Sequence, residues 1–262
     1  MYRTWRLIDD IPRDAAENMA VDEAIAISMS EDDTLPTLRF YKWKSPAVSY
    51  GYFQKVEDDV NIPYCRSKKI DFVRRPTGGG IVLHMGELTY SLIVNLEFFP
   101  GSSDVISTYR IVHGAIKSGL TSLGIKGVYG CEEKGMAIKN PGFCFTRATK
   151  YDVMVNNSKI AGSAQRRFDP ILLHQGYIMI EDIMNGSEIL LKGHCRNGSY
   201  AFLREFVTEI PLRKGLIKIF KNAFENELDI KFTEKKITGS ELKTALSLKG
   251  NKYNLRDWNL MR

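Results

Sequence analysis

Few cysteines, no long apolar run and no nucleotide-binding signature characterise this sequence, and each absence removes a class of protein. Four cysteines in 262 residues (Cys65, Cys131, Cys144 and Cys195) are too few for a disulfide scaffold, and no C-x-x-C pair suggests a zinc site. Nothing approaches the roughly 18 consecutive apolar residues of a membrane span. The start, MYRTWRLIDDIPRD, is charged where a secretory leader needs an apolar run, so a cytoplasmic protein with reduced thiols and no membrane partner is expected. No P-loop and no G-x-G-x-x-G run is present, and Ser163, in Gly162-Ser163-Ala164, lacks the G-x-S-x-G elbow. Repeats, low-complexity tracts and Pro/Gly/Ser linkers are also missing, and a single domain over 1–262 is expected. No exposed heptad or repeated edge suggests self-association, which favours a monomer.

What remains is 44% hydrophobic and 26% charged, the composition of a globular chain with a sizeable core. The net charge of +6 resides in the segment 212–262, where 12 Lys and Arg face 6 Asp and Glu. That segment either steers an acidic partner or is a solvated helical face. It carries no stack of aromatics amid dense basic residues, so nucleic acid is not expected as a partner.

Apolar spacing places the elements. Asp14-Ala-Ala-Glu17 has capping-box spacing ahead of a helix carrying Met19, Ala24 and Met29. Leu38–Phe40, Val48–Tyr50, Ile70–Val73, Ile81–His84, Leu88–Val94 and Leu172–Ile180 read as strands. Ile106, Tyr109, Ile116, Leu120 and Leu123 predict a second helix ending at Gly124. Lys150–Val155, the turn Asn156-Asn157 and a return strand from Ser158 predict a hairpin. Leu216 to Leu228 predicts another helix, and the tail reads as one more, ending at Trp258. Without strict β-α-β alternation, the class is α+β with a mixed or antiparallel sheet and packed helices.

Chemistry concentrates in two places. In Arg74-Arg75-Pro76-Thr77-Gly78-Gly79-Gly80, running on to His84, three glycines let a ligand lie against the backbone, and two arginines suit an anion. The alternative is a tight turn with solvated arginines. The second is Cys144 in Asn-Pro-Gly-Phe-Cys-Phe, just before the hairpin, with Lys159, Gly162, Ser163 and Ala164 on the return strand. A free thiol is only a few per cent thiolate at pH 7, and an ammonium brought close by the hairpin raises that fraction greatly. The competing reading of Lys159 is an exposed hairpin lysine. Cys65 falls in a helix, Cys131 among charges, and Cys195 beside His194 without further ligands, so no metal site is expected. His174, in Leu-Leu-His-Gln-Gly, either lines a pocket or is a hydrogen-bonded core histidine.

The runs RRPTGGGIVLH, ELTYS, KIAGSAQRR and LLHQGYI, together with TWRLID, NMAVDEA, LRFYKW and GYFQ, resemble the lipoate-protein ligase A and octanoyltransferase superfamily, whose catalytic fold is shared with biotin protein ligase. The resemblance covers about 4–181, and KYNLRDWN near the end is similar to family tails. The Cys-Phe pair at Cys144 resembles the LipM type of octanoyltransferase, where ligases typically carry Asn-Asp. The resemblance implies octanoyl transfer from octanoyl-acyl carrier protein, through a Cys144 thioester tuned by Lys159, to a lysine of a lipoyl-carrier protein, the glycine-cleavage H protein. It implies no cofactor; ATP and magnesium belong to the alternative, a lipoate or octanoate ligase working through an acyl-adenylate. A non-catalytic acyl-binding relative is the second alternative. Arg74, Arg75, Thr77, Gly78, Gly79, Gly80, His84, Gly162, Ser163, Ala164 and His174 are the expected substrate contacts. Two positions depart from the LipM pattern: Gly80 stands where Arg is common, and His174-Gln175-Gly176-Tyr177 where Gln-His-Gly-Ser is expected. The accessory domain of large ligases is not found downstream, which favours the transferase.

Overall fold

In the computed structural model, residues 4–32, 34–99, 104–130, 151–183 and 200–260 are described. Asp14 starts the first helix as its spacing predicts, accepting the Glu17 N–H at 2.8 Å. That helix, α1 (Ala15–Asp32), lies against the sheet and is buried almost all round, which explains why its apolar residues form no one-sided stripe. Asp104 caps a second long helix, α4 (Val105–Ser122), by accepting the N–H groups of Ile106 and Ser107; the chain leaves it through Gly124 at a φ of +79°.

Eight strands form the main sheet: β1 (Thr4–Arg13), β2 (Thr37–Trp43), β6 (Glu87–Asn95), β7 (Val128–Tyr129), β8 (Val153–Val155), β9 (Ser158–Phe168), β10 (Ile171–Met179) and β11 (Lys231–Glu234). Their order is β11-β1-β2-β6-β10-β9-β8-β7, parallel between β1 and its two neighbours and antiparallel elsewhere. Three short strands, β3 (Ala47–Tyr50), β4 (Asp71–Arg74) and β5 (Val82–His84), form a separate sheet in the order β4-β3-β5. The sheets are mixed, as the α+β reading requires.

Central β10 is buried along all nine residues because both faces are covered. Its Leu172 and Ile178 join a core with α4 and α5 (Arg213–Leu228), which contributes Leu216, Phe220 and Phe224. The neighbouring residues Ile171 and Leu173 meet α1, and Tyr177 and Met179 meet the small sheet. This alternation decides which compartment each functional side chain enters.

The hairpin forms between β8 and β9, with Asn156 and Asn157 both at positive φ (50° and 62°), the geometry of a type I′ turn. Two short helices, α2 (Val56–Asp59) and α3 (Ile62–Ser67), follow the small sheet's first strand, and α3 holds Cys65, as expected. The tail differs from the single helix predicted. It contains β11, parallel to β1, then α6 (Gly239–Leu248), a π-helical turn at Lys249–Tyr253 and α7 (Arg256–Leu260). Alternation over only four residues, with three of them exposed, leaves β11 without a period-2 signal.

Candidate active site

The small sheet and the main sheet face each other across a narrow cavity. Ser49, Arg75, Val82 and His84 form one wall; Ala164, Gln175 and Tyr177 form the other, with Met19, Tyr41 and Trp43 at the margin. Its volume is about 30 Å³, room for little more than a water, so an acyl chain enters only as side chains shift.

The glycine run is shaped by close backbone approach. Gly79 has φ +84°, the left-handed region that suits glycine, and a Cβ on Gly51 would overlap the Gly79 carbonyl oxygen. Gly78, by contrast, faces open space. The Arg75 guanidinium closes the loop from within, donating to the carbonyls of Gly78 (2.8 Å) and Gly80 (2.7 Å) and to Ser49 Oγ (2.8 Å). Thr77 donates to Gln175 Oε1 at 2.8 Å, and Gln175 Nε2 donates to buried Asp22 at 2.7 Å. Asp22 in turn accepts from Arg39 and Ser91, at 2.6 and 2.7 Å.

The two adjacent arginines part company. Arg75 lines the cavity, whereas Arg74, fully buried, donates to the carbonyls of Tyr52, Gln54 and Trp258, each at 2.7 Å. Asn259 Oδ1 accepts the Arg74 N–H, and Trp258 Nε1 donates to the Arg74 carbonyl. Arg74 thus ties α7 to the base of the glycine loop rather than presenting its charge to the cavity.

His84 is stacked on Trp43 with ring centroids 3.8 Å apart. Its Nδ1 lies 2.7 Å from Glu87 Oε1 and its Nε2 2.7 Å from Ser49 Oγ. Burial would raise the Glu87 pKa, but His84, the Thr89 hydroxyl and the Met85 and Gly86 N–H groups outweigh it and hold the carboxyl below its ordinary value. Burial also holds His84 below the ordinary 6.5, against the pull of Glu87. The proton positions follow. A carboxylate only accepts, so Nδ1 carries the hydrogen; Arg75 only donates, so Ser49 accepts from it and turns its own proton to Nε2.

Lys159 is not an exposed hairpin lysine. It is 2% exposed and pairs with Asp152 at 2.9 Å. Its Nζ lies 5.8 Å from the centre of the Tyr177 ring, and a Cβ on Gly162 would collide with its side chain. Asp152 escaped the sequence reading; the hairpin register, which sets it one residue before β8 and across from β9, is the signal that locates it. Ser163 and Gly176 also border the cavity through the strands β9 and β10, while the Ser163 hydroxyl turns to the far face and donates to His113 Nε2 at 2.7 Å. Nδ1 of His113 donates to the Tyr151 carbonyl.

His174 neighbours Gln175 on β10 and therefore faces away from the cavity. It lies beneath α4 among Tyr90, Tyr109 and His113, fully buried, and neither ring nitrogen has a hydrogen-bond partner among the described residues. Burial and the nearby His113 hold its pKa well below 6.5. The cavity position expected for it is filled by Gln175. Cys144, with Cys131, Cys195 and His194, lies outside the described residues; described Cys65 is buried and its thiol pKa is raised by that burial, unlike an activated nucleophile. Among the described residues no three His, Cys, Asp or Glu side chains group to hold a metal, and no helix is long and apolar enough to cross a membrane.

A glycine loop closed by an internal arginine and a buried lysine on the mixed sheet define the class, and the chain belongs to the lipoyl protein ligase A/B catalytic domain family, whose model matches residues 14–224. Two solved structures share the fold at 99% coverage of each chain or close to it. One is a lipoate-protein ligase A bound with ATP (TM-score 0.84, 27% identity, 99% of both chains). The other is a bi-partite lipoate protein ligase from Thermoplasma acidophilum (TM-score 0.80, 26% identity, 100% of this chain and 98% of that one). Within the family the sequence falls with the octanoyltransferases of the LipM type. It is 36% identical to that of Halalkalibacterium halodurans and 33% identical to that of Bacillus subtilis, over 99% of both chains in each comparison.

Proposed function

We propose that the protein transfers an octanoyl group in lipoate biosynthesis in two steps. Cys144 attacks the thioester of octanoyl-acyl carrier protein, forming an acyl-enzyme and releasing the carrier thiol. A lysine of a lipoyl-carrier protein, the glycine-cleavage H protein, then attacks the acyl-enzyme to give the amide. Thioester exchange is nearly neutral in energy and the amide draws the sequence forward, so the reading requires neither nucleotide nor metal. The full-length relatives named octanoyltransferase support the reaction, and the observation that carries the mechanism is Lys159, a buried ammonium partnered by Asp152 and set behind Tyr177 of the cavity wall. An ammonium at that position stabilises a thiolate and lowers a thiol pKa from about 8.5 toward or below neutrality.

Burial of the acyl methylenes at about 0.8 kcal/mol each offers roughly 5–6 kcal/mol of gross binding, before the cost of opening the cavity. Met19, unbranched and at the cavity margin, is a side chain able to yield. Thr77, Gly78, Gly79, Gly80, Arg75, His84, Gly162, Ser163 and Ala164 are the residues proposed to surround the acyl group. Arg74 and His174 support that site from its base and from the far side of the sheet.

The ATP-dependent ligase is the second reading, favoured by the triple glycine ending at Gly80 and by the likeness to a ligase bound with ATP. One assay separates them. Octanoyl-acyl carrier protein and apo-H protein are incubated with the enzyme without nucleotide, and again with Cys144→Ala. Transfer without ATP that the substitution abolishes is the expected result; strict ATP dependence with an active Cys144→Ala protein overturns the transferase.

A further inference from the structure

Amide formation needs a base, because an attacking lysine amine carries more protons than the product amide keeps. Lys159 is paired with Asp152, and Arg75 is a permanent donor, so neither is suited to take a proton. Of the described residues lining the cavity, His84 alone is an imidazole. It stands where the narrow cavity meets an open groove of about 400 Å³, and with Trp43 it lines both. Lys42, Lys44 and Arg213 rim that groove.

We infer that Ser49, His84 and Glu87 form a proton relay that serves as the base for amide formation, with the acceptor lysine entering through the groove. This rests on the acyl-transfer reading above but not on sulfur as the acyl carrier. The neutral amine nitrogen attacks the acyl carbonyl, the C–N bond forms and the bond to the leaving group breaks. The amine proton passes to Ser49 Oγ as the Ser49 proton passes to His84 Nε2. Glu87 stabilises the resulting imidazolium through Nδ1–H, and His84 then returns its proton to the leaving group or to water. The tautomer required is the one that Glu87 and Arg75 impose from opposite ends. The stack on Trp43 fixes the ring plane. The charged groups facing the imidazole are Glu87 on β6 and Arg75 from the glycine loop, with Lys42, Lys44 and Arg213 around the groove.

The test partitions one acyl-enzyme between two nucleophiles. Octanoyl-acyl carrier protein is reacted to completion with wild-type, His84→Gln and Ser49→Ala proteins. The acyl-enzyme is then offered apo-H protein or hydroxylamine, a weakly basic amine that needs little help in losing a proton. Transfer to the H protein is expected to fall 10²- to 10⁴-fold in both variants. Release by hydroxylamine, read per mole of acyl-enzyme, is expected to fall at least tenfold less than transfer to the H protein does. Wild-type transfer should decline as pH drops below 6.5 and the variants should lack that limb. Transfer by His84→Gln within threefold of wild type, or an equal loss with both nucleophiles, overturns the relay. If the wild-type protein forms no adduct, the thioester reading fails instead, and the relay is judged by the same variants in amide formation from octanoate and ATP.

Discussion

The Asn259 carboxamide oxygen accepts the Arg74 N–H at 2.8 Å, joining the last helix to the strand that feeds the glycine loop. The same carboxamide donates to the carbonyls of Tyr253 (2.7 Å) and Leu255 (3.0 Å), so one buried side chain closes α7 and holds β4. Asn259→Ala strands the Arg74 N–H and the Tyr253 carbonyl, the Leu255 carbonyl keeping the Asn259 N–H, and is expected to cost about 2–6 kcal/mol at about 1–3 for each buried group left unsatisfied. A shift of the urea midpoint at constant slope checks it. Arg74→Lys should act in the same way, since one ammonium cannot replace a fork that reaches three carbonyls. Its acyl-donor KM per folded molecule should change little; a KM rise without loss of stability would place Arg74 in the binding site after all.

Lys159→Met should raise the apparent pKa of Cys144 alkylation by at least one unit, measured as iodoacetamide rate against pH. An unchanged profile rejects the tuning role. Asp152→Asn leaves the ammonium buried without its partner carboxylate, and a loss of about 3–5 kcal/mol is expected. Thermal unfolding reads this directly.

Three buried histidines, His84, His113 and His174, sit below the ordinary pKa of 6.5, with burial the leading cause for each. Depressed imidazoles mean that the unfolded chain binds protons the native state refuses. Their contribution is therefore intact above pH 6.5 and is lost as pH falls below it. A wholly unprotonated imidazole loses at most about 1 kcal/mol between pH 7 and pH 5.5, so stability should fall over that span, with His174, the most depressed, the largest contributor. His174→Phe should remove the largest single share of that dependence and leave stability at pH 7 equal or higher, because it withdraws a polar ring from aromatic surroundings. Urea titrations at the two pH values decide it.

Within the glycine loop the cost of a methyl group depends on place, not on residue type. Gly78→Ala should leave the melting temperature within a degree or two. Gly51→Ala, which meets the Gly79 carbonyl, and Gly79→Ala, which needs positive φ, should each lower it clearly, the latter through a loss of about 1–2 kcal/mol of stability. Equal tolerance of all three would mean that the loop is not held as described.

The residues that were legible in the sequence carry local signals. Asp14 capping, the Asn156-Asn157 turn and the strand alternation of β10 depend on near neighbours, and the lysine across the hairpin depends on its register. His113 and Asn259 carry none, because Tyr151 and Ser163 for the first, and Arg74 for the second, lie on other elements and only the folded chain brings them together. The same limit explains Arg74. Nothing in a run of two arginines tells which one turns to the cavity and which to the C-terminal helix. The tail reads as one helix because the link between α6 and α7 is a π-turn, which keeps helical composition.

The order of the pair His174-Gln175 has a consequence for what borders the cavity. Adjacent letters on a strand belong to different rooms of the protein, so exchanging their order moves an ionisable ring from one side of the sheet to the other without altering composition. In this chain the ring is stored beneath α4, and the position against Thr77 and Asp22 holds an amide whose charge is the same at every pH. The wall on which the fatty chain would rest is thereby insulated from acidity, and the titrating group that borders it is left to be His84.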